Sequence, residues 1–67
     1  MDYKKLEEIY ASERNGQMRQ FVEFVDEYGL YDFWSDYAKF LWGFLDDHKY
    51  VVVFTNAVIS YHRIKNR

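Results

Sequence analysis

Apolar residues recur at helical spacing through the first half of the 67-residue chain. The first stripe predicts an amphipathic helix over about residues 2–14, with Asp2 placed to cap its first turn. A second stripe predicts a helix over about residues 17–28, and Gly29 would end it because glycine accepts the left-handed conformation common after a helix. The stripes consist of Leu6, Ile9 and Tyr10 in the first helix, and of Met18, Phe21, Val22, Phe24, Val25 and Tyr28 in the second.

A third helix, over about residues 30–46, differs from the first two because its polar positions form only one narrow stripe. The rest of its surface is almost entirely apolar, and a helix of this kind is normally covered on several sides. We therefore expect neighbouring elements to bury most of it, and any part left uncovered to be an interface. The polar stripe consists of Asp32, Asp36, Lys39, Gly43 and Asp46.

The C-terminal third changes to β-branched residues, which predicts a β-hairpin with strands over about residues 49–55 and 58–65. The expected fold class is therefore α+β, with three helices followed by a hairpin in a single domain spanning residues 1–67. One face of the hairpin should pack on the third helix. The predicted core consists of Phe21, Phe24, Val25, Trp34, Tyr37, Leu41, Val52, Phe54 and Ile59.

The composition adds a constraint on stability. A chain of this length hides only about 60% of the surface that its unfolded form exposes, and without cysteine it can form no disulfide. Aromatic residues make up 22% of the sequence, so aromatic packing or self-association has to supply the missing stability. We accordingly expect a homo-oligomer.

Two observations bear on where the chain acts. The N-terminal residues mix charges and lack the apolar run of a secretory signal. The longest apolar run extends from Tyr50 to Phe54, far short of the roughly 20 residues that a membrane helix needs. We therefore expect a cytoplasmic protein without a membrane partner.

Charge is distributed unevenly along the chain. Residues 20–47 contain seven carboxylates against one lysine, a net charge of −6, whereas residues 48–67 carry four basic residues and no acid, a net charge of +4. This asymmetry indicates either an acidic surface that binds a basic protein or ordinary solubilising charge. In the first case, exposed aromatic residues beside the carboxylates would anchor the partner. The predicted partner-binding residues are Glu23, Asp26, Glu27, Tyr31, Asp32, Asp36 and Trp42.

The sequence contains no catalytic, nucleotide-binding or metal motif. It has neither a glycine-rich phosphate loop nor a nucleophile motif. His48 and His62 would lie close together across the predicted hairpin, but zinc requires three or four ligands and no cysteine is present. We therefore expect no enzymatic activity, no cofactor and no metal site.

Three helices followed by a hairpin is also the order of elements in winged helix-turn-helix proteins, so a DNA-binding regulator is an alternative. In that case Arg63, Lys65 and Arg67 would contact phosphates. The acidic third helix argues against nucleic acid, because a recognition helix needs exposed basic or amide side chains. A further alternative is a structural subunit that self-assembles through the edge of the hairpin.

In general character the chain resembles the small accessory proteins of bacteriophages and other mobile elements, being short, aromatic and free of proline and cysteine. The resemblance is one of size and composition, with no shared motif. Many such proteins bind and block a host protein, so the resemblance implies an inhibitor, either an anti-defence or a host-takeover factor. The leading hypothesis is therefore a non-catalytic protein-binding module that acts through its acidic aromatic helical surface.

Overall fold

Four helices make up almost all of the part of the chain that the structure describes. The computed structural model describes residues 1–66, and no strand occurs among them. The α+β prediction is therefore wrong, and the fold over these residues is all-α. The helices are α1 (Tyr3–Arg14), α2 (Met18–Tyr28), α3 (Leu30–Trp42) and α4 (Asp47–Lys65).

The first two helices begin and end close to where the sequence predicts. The Asp2 carboxylate accepts a hydrogen bond of 3.1 Å from the backbone N–H of Lys5, which caps α1. Gly16, in the turn after α1, has φ +74°, and Gly29, the single residue between α2 and α3, has φ +100°. Both values lie in the left-handed region that glycine adopts without steric cost, so these two residues determine the turns.

α3 is shorter than predicted, since it ends at Trp42 rather than at residue 46. Asp46 has left the helical conformation, with ψ 168°, and its carboxylate accepts a hydrogen bond of 2.8 Å from the backbone N–H of Lys49. Asp46 therefore begins α4 instead of continuing α3. The physical reason is that the first N–H groups of a helix have no partner within the helix, and an aspartate at the start of α4 accepts one of them. A position in the polar stripe of α3 would give Asp46 no such bond.

A single helix, α4, replaces the predicted hairpin over residues 49–55 and 58–65. Apart from the neighbours Val53 and Phe54, its core-facing residues recur at steps of three and four rather than two, which is a helical period. β-branched residues reduce helix propensity by up to about 0.7 kcal/mol each, whereas burial of one large apolar side chain stabilises by roughly 1.5–3 kcal/mol. Packing therefore outweighs local preference. The core-facing residues are Tyr50, Val53, Phe54, Ala57, Tyr61 and Ile64.

One hydrophobic core joins all four helices. Of the nine residues predicted for it, four are buried, three are half-buried against it and two are exposed. Val52 and Ile59 are the exposed pair, with 42% and 47% of their surface accessible. In a hairpin, strand alternation would have placed both on the core-facing side, but the helical period of α4 directs them to the outside. The buried four are Phe21, Val25, Tyr37 and Leu41, and the half-buried three are Phe24, Trp34 and Phe54.

Two polar groups lie inside this core without a hydrogen-bond partner among the described residues, namely Oε2 of Glu13 and the hydroxyl of Tyr37. We call them the Glu13–Tyr37 pair. Burial raises the pKa of Glu13 against the opposing attraction of Arg14, and burial together with the charge of Glu13 raises the pKa of Tyr37. Because a buried polar group without a partner costs free energy, this pair is a weak point of the interior.

Candidate protein-binding site

The turn between α2 and α3 presents the most exposed large hydrophobic residue of the described chain. Tyr31 is 97% exposed, and Leu30 beside it is 44% exposed. Asp32 follows in the first turn of α3, and Glu27 precedes in the last turn of α2. We call Glu27, Leu30, Tyr31 and Asp32 the acidic corner. An exposed aromatic side chain flanked by carboxylates has the composition of a site that anchors a basic protein.

The carboxylates around the corner are only weakly engaged by the rest of the chain. Glu27 lies 3.7 Å from Nζ of Lys5, and its side chain is exposed, so this ion pair contributes little to stability. Glu23 is exposed one turn earlier on the same face of α2. Within residues 1–66, neither Glu23 nor Asp32 has a cationic partner within 4.0 Å. These carboxylates can therefore meet an external cation.

Asp36 was also predicted on the binding surface, and its carboxylate accepts a hydrogen bond within the fold. Its Oδ2 accepts a hydrogen bond of 2.7 Å from the Tyr28 hydroxyl, and it is half-buried. The Tyr28 oxygen in turn accepts a hydrogen bond of 3.3 Å from the backbone N–H of Asp2. Burial is the main cause that raises the pKa of Tyr28, and the bond to Asp36 adds to it. Asp36 thus links α3 to α2 and to the start of α1.

Asp26 has a structural role of the same kind. Its Oδ1 accepts a hydrogen bond of 2.6 Å from the Tyr61 hydroxyl, and its Oδ2 accepts one of 3.0 Å from Nζ of Lys65. We call these three residues the Asp26 seam, since they join α2 to the end of α4. The hydrogen bonds lower the pKa of Asp26, while burial and the bond to Asp26 raise the pKa of Tyr61 to about 12.

Trp42 does not belong to the same surface as Tyr31. It is 64% exposed at the other end of α3, where it packs edge to face on Tyr50 with the ring centroids 5.2 Å apart. Eleven residues separate it from Tyr31, which corresponds to roughly 16 Å along a helix axis. The sequence-predicted set therefore divides into the acidic corner with Glu23, two structural carboxylates and a separate exposed tryptophan.

Sequence reasoning missed a basic cleft between α1 and α4. The cavity has a volume of about 390 Å³, and three basic side chains surround its apolar floor. Arg14, His48 and Lys49 are exposed, and none of them has a carboxylate within 4.0 Å among the described residues. Segment-wise charge counting could not find this site, because Arg14 lies on a different helix from the other two. The basic cleft is lined by Tyr10, Arg14, Leu45, His48, Lys49, Val52 and Val53.

An aromatic groove of about 500 Å³ lies between α1 and the end of α3. Tyr10 packs edge to face on Phe44, with the centroids 5.4 Å apart, and Phe40 lies 5.0 Å from Phe44. The groove shares Tyr10 with the basic cleft, so the two depressions adjoin. Its lining consists of Tyr3, Glu7, Tyr10, Lys39, Phe40, Gly43 and Phe44.

The residues predicted for nucleic-acid contact do not form a strand or a wing. Arg63 is exposed on α4, Lys65 is bonded to Asp26, and Arg67 lies outside the described residues. His48 and His62 share one helix and stand roughly 21 Å apart along its axis, not side by side. Within residues 1–66, no group of three metal-ligating side chains converges, and no helix is both long and apolar enough to cross a membrane.

Comparisons with known proteins add no second source of evidence. No family model, no curated protein and no solved structure matches the chain.

Proposed function

We propose that the protein is a non-catalytic protein-binding module that uses the acidic corner to bind a protein with a basic surface. The observation that carries the proposal is the 97% exposure of Tyr31 beside Asp32 and Glu27. Binding energy at protein interfaces concentrates in a few tyrosine, tryptophan and arginine residues surrounded by polar ones. In the free chain the Tyr31 side chain packs on almost nothing, so its burial contributes no stability. A partner that covers the side chain would gain the free energy of that burial.

The proposed surface is smaller than the one expected from sequence. It consists of the acidic corner together with Glu23, whereas Asp26 and Asp36 form hydrogen bonds within the fold. Free carboxylates around Tyr31 would accelerate encounter with a basic partner and disfavour acidic ones. Trp42 would contribute only to a partner large enough to reach the other end of α3.

In its biological setting, the module would act as an inhibitor by occupying a functional surface of a host protein. The small size and the general character shared with phage accessory proteins support this proposal, as either an anti-defence or a host-takeover factor. We propose the cytoplasm as its site of action, since a cysteine-free chain is suited to a reducing compartment.

The test compares chains that differ only at the acidic corner. Wild-type protein, Tyr31→Ala, Asp32→Lys and the control Glu7→Lys are immobilised, and proteins retained from a host lysate are identified by mass spectrometry. The partner is the protein that wild type and Glu7→Lys retain and that both corner variants lose. With the purified partner, Tyr31→Ala should raise the dissociation constant about 30-fold, corresponding to roughly 2 kcal/mol.

Two results would contradict the proposal. One is equal affinity of wild type and Tyr31→Ala for every retained protein. The other is a complex that Arg63→Glu abolishes while Asp32→Lys leaves it intact, because the binding surface would then be the basic end of α4. Circular dichroism confirms that each variant keeps its helices.

A further inference from the structure

The basic cleft and the acidic corner are complementary in charge and in polarity. The cleft has an apolar floor that includes Leu45 and Val52, with Arg14 and Lys49 at its margin and no carboxylate in its lining. The corner projects Tyr31 and Leu30 between Glu27 and Asp32. The corner thus combines apolar residues with two carboxylates, and the cleft combines an apolar floor with two cations, so the two surfaces could fit each other.

Neighbouring acids do not neutralise the cleft. Asp46 and Asp47 precede His48 and Lys49 in sequence, but neither residue lines the cavity. The Asp46 carboxylate is used in the cap of α4, where it accepts the backbone N–H of Lys49. Neither Arg14 nor Lys49 has a carboxylate within 4.0 Å among the described residues, so both can form an ion pair with an external anion.

One chain cannot bring its own corner into its own cleft. The acidic corner lies at the start of α3, whereas Leu45 of the basic cleft lies three residues beyond the end of that helix. The 13 residues of α3 separate the two sites by roughly 20 Å. The cleft volume of about 390 Å³ falls in the range of sites that accept a small ligand or a single inserted side chain.

We propose that the occupant of the basic cleft is the acidic corner of a second copy of this chain. Tyr31 of one copy packs on Val52 and Leu45 of the other, and Asp32 and Glu27 meet Lys49 and Arg14. This contact is heterologous, so it closes when two copies engage reciprocally or when several form a ring, and otherwise continues as a filament. Self-association covers the corner, so the partner of the proposed function must compete with it.

The first test is sedimentation velocity on the full chain from about 10 to 500 µM at about 50 mM salt. Wild type should gain mass with concentration, while Asp32→Lys and Lys49→Glu should each remain monomeric. Glu7→Lys and Lys4→Glu make the same charge changes at exposed sites outside both surfaces, and they should associate like wild type. Tyr31→Ala provides a second corner variant in case Asp32→Lys fails to fold.

Mixing the two monomeric variants gives the decisive measurement. Asp32→Lys keeps an intact cleft and Lys49→Glu keeps an intact corner, so a 1:1 mixture restores the wild-type contact. The reversed corner of the first variant also complements the reversed cleft of the second, and the mixture should therefore associate as wild type does. Combining both substitutions in one chain reverses the charges on both sides, and self-association should return. Raising the salt concentration to about 500 mM should weaken every one of these contacts.

Sedimentation would overturn the inference in three cases: a wild-type chain that stays monomeric at 500 µM, corner and cleft variants that associate like wild type, or a mixture that stays monomeric. The proposed function is tested separately with Lys49→Glu, which retains the corner and should still bind the foreign partner. If wild type is monomeric but its corner binds that partner, the self-association fails and the proposed function stands. A cleft that instead captures a foreign acidic protein would also overturn the inference.

Discussion

The Asp26 seam and the Glu13–Tyr37 pair each place a carboxylate and a tyrosine hydroxyl between two helices. The groups of the seam are hydrogen-bonded, whereas within residues 1–66 those of the pair are not. In the seam, Asp26 accepts two hydrogen bonds at the edge of the α2–α4 contact. In the pair, both groups lie inside the core and neither Oε2 of Glu13 nor the Tyr37 hydroxyl has a partner among the described residues. Polar chemistry therefore stabilises this bundle at its margin and weakens it in the interior.

The two carboxylates also titrate in opposite directions. Hydrogen bonds from Tyr61 and Lys65 lower the pKa of Asp26, whereas burial raises the pKa of Glu13. The seam thus contributes stability at neutral pH that is lost as the pH falls through the lowered pKa of Asp26. The Glu13 carboxylate carries a cost at high pH that disappears as the pH falls through its raised pKa.

The largest effect should come from Leu41→Ala, which removes apolar packing one turn beyond Tyr37 on the same face of α3. Leu41 is fully buried, so its loss should reduce the free energy of unfolding by about 2–5 kcal/mol. Urea titration at about 5 µM, below the concentrations used to test the proposed self-association, measures the change. Trp42→Ala is the matched control at the next, exposed position and should cost much less. Equal costs would show that α3 faces the core differently.

Breaking the seam should have the next largest effect. Tyr61→Phe removes the hydroxyl that donates to Asp26 at 2.6 Å, and it should reduce the free energy of unfolding by about 1–3 kcal/mol, as expected for a bond to a charged group. Tyr50→Phe is the control, because the Tyr50 hydroxyl makes no hydrogen bond within residues 1–66 and lies on the same helix. The comparison fails if both variants lose the same stability.

Glu13→Gln should change stability in the opposite direction. It removes the cost of a buried charge at pH 7 and should raise the free energy of unfolding by about 1 kcal/mol. Because the folded-state pKa of Glu13 lies above the ordinary value of 4.5, this advantage should shrink as the pH falls from 7 towards 4.5. Thermal melts of both chains across that pH range show the trend. An advantage that grows on acidification would refute the assignment.

Tyr37→Phe should have the smallest effect. It deletes a buried hydroxyl without a partner, so the free energy of unfolding should stay the same or rise by up to about 1 kcal/mol. A loss greater than 1 kcal/mol would mean that the hydroxyl is in fact hydrogen-bonded, and the contrast with Tyr61 would then disappear. The same urea titration provides the measurement.

Much of the fold could be predicted from local signals, and the error has a clear cause. Asp2, Asn15-Gly16 and Gly29 define the ends of α1 and α2 through capping and turn chemistry. The run around Val51–Phe54 favours a strand by local preference, but the positions that pack on the core follow a helical period. Only the packing partners decide between the two, and those partners lie on other helices.

The candidate site was predictable only in part. Glu27, Tyr31 and Asp32 of the acidic corner are among the residues predicted from sequence, whereas Leu30 is not, and the function of the corner stays a proposal. The structural use of Asp26 could not be read from sequence, because its partner Tyr61 is 35 positions away. The basic cleft could not be read from sequence for a similar reason, since it joins Arg14 of α1 to Lys49 of α4.

Gly29 is the whole connection between α2 and α3. A connection of several residues would leave the Tyr31 segment many backbone conformations in the free chain, and binding would have to fix each of those residues at about 1–2 kcal/mol of conformational entropy. With one glycine, almost none of that backbone ordering remains to be done, so a partner of the proposed kind would meet Tyr31 on a backbone that is already fixed. Stronger binding at this corner would therefore have to come from better contacts and not from added rigidity.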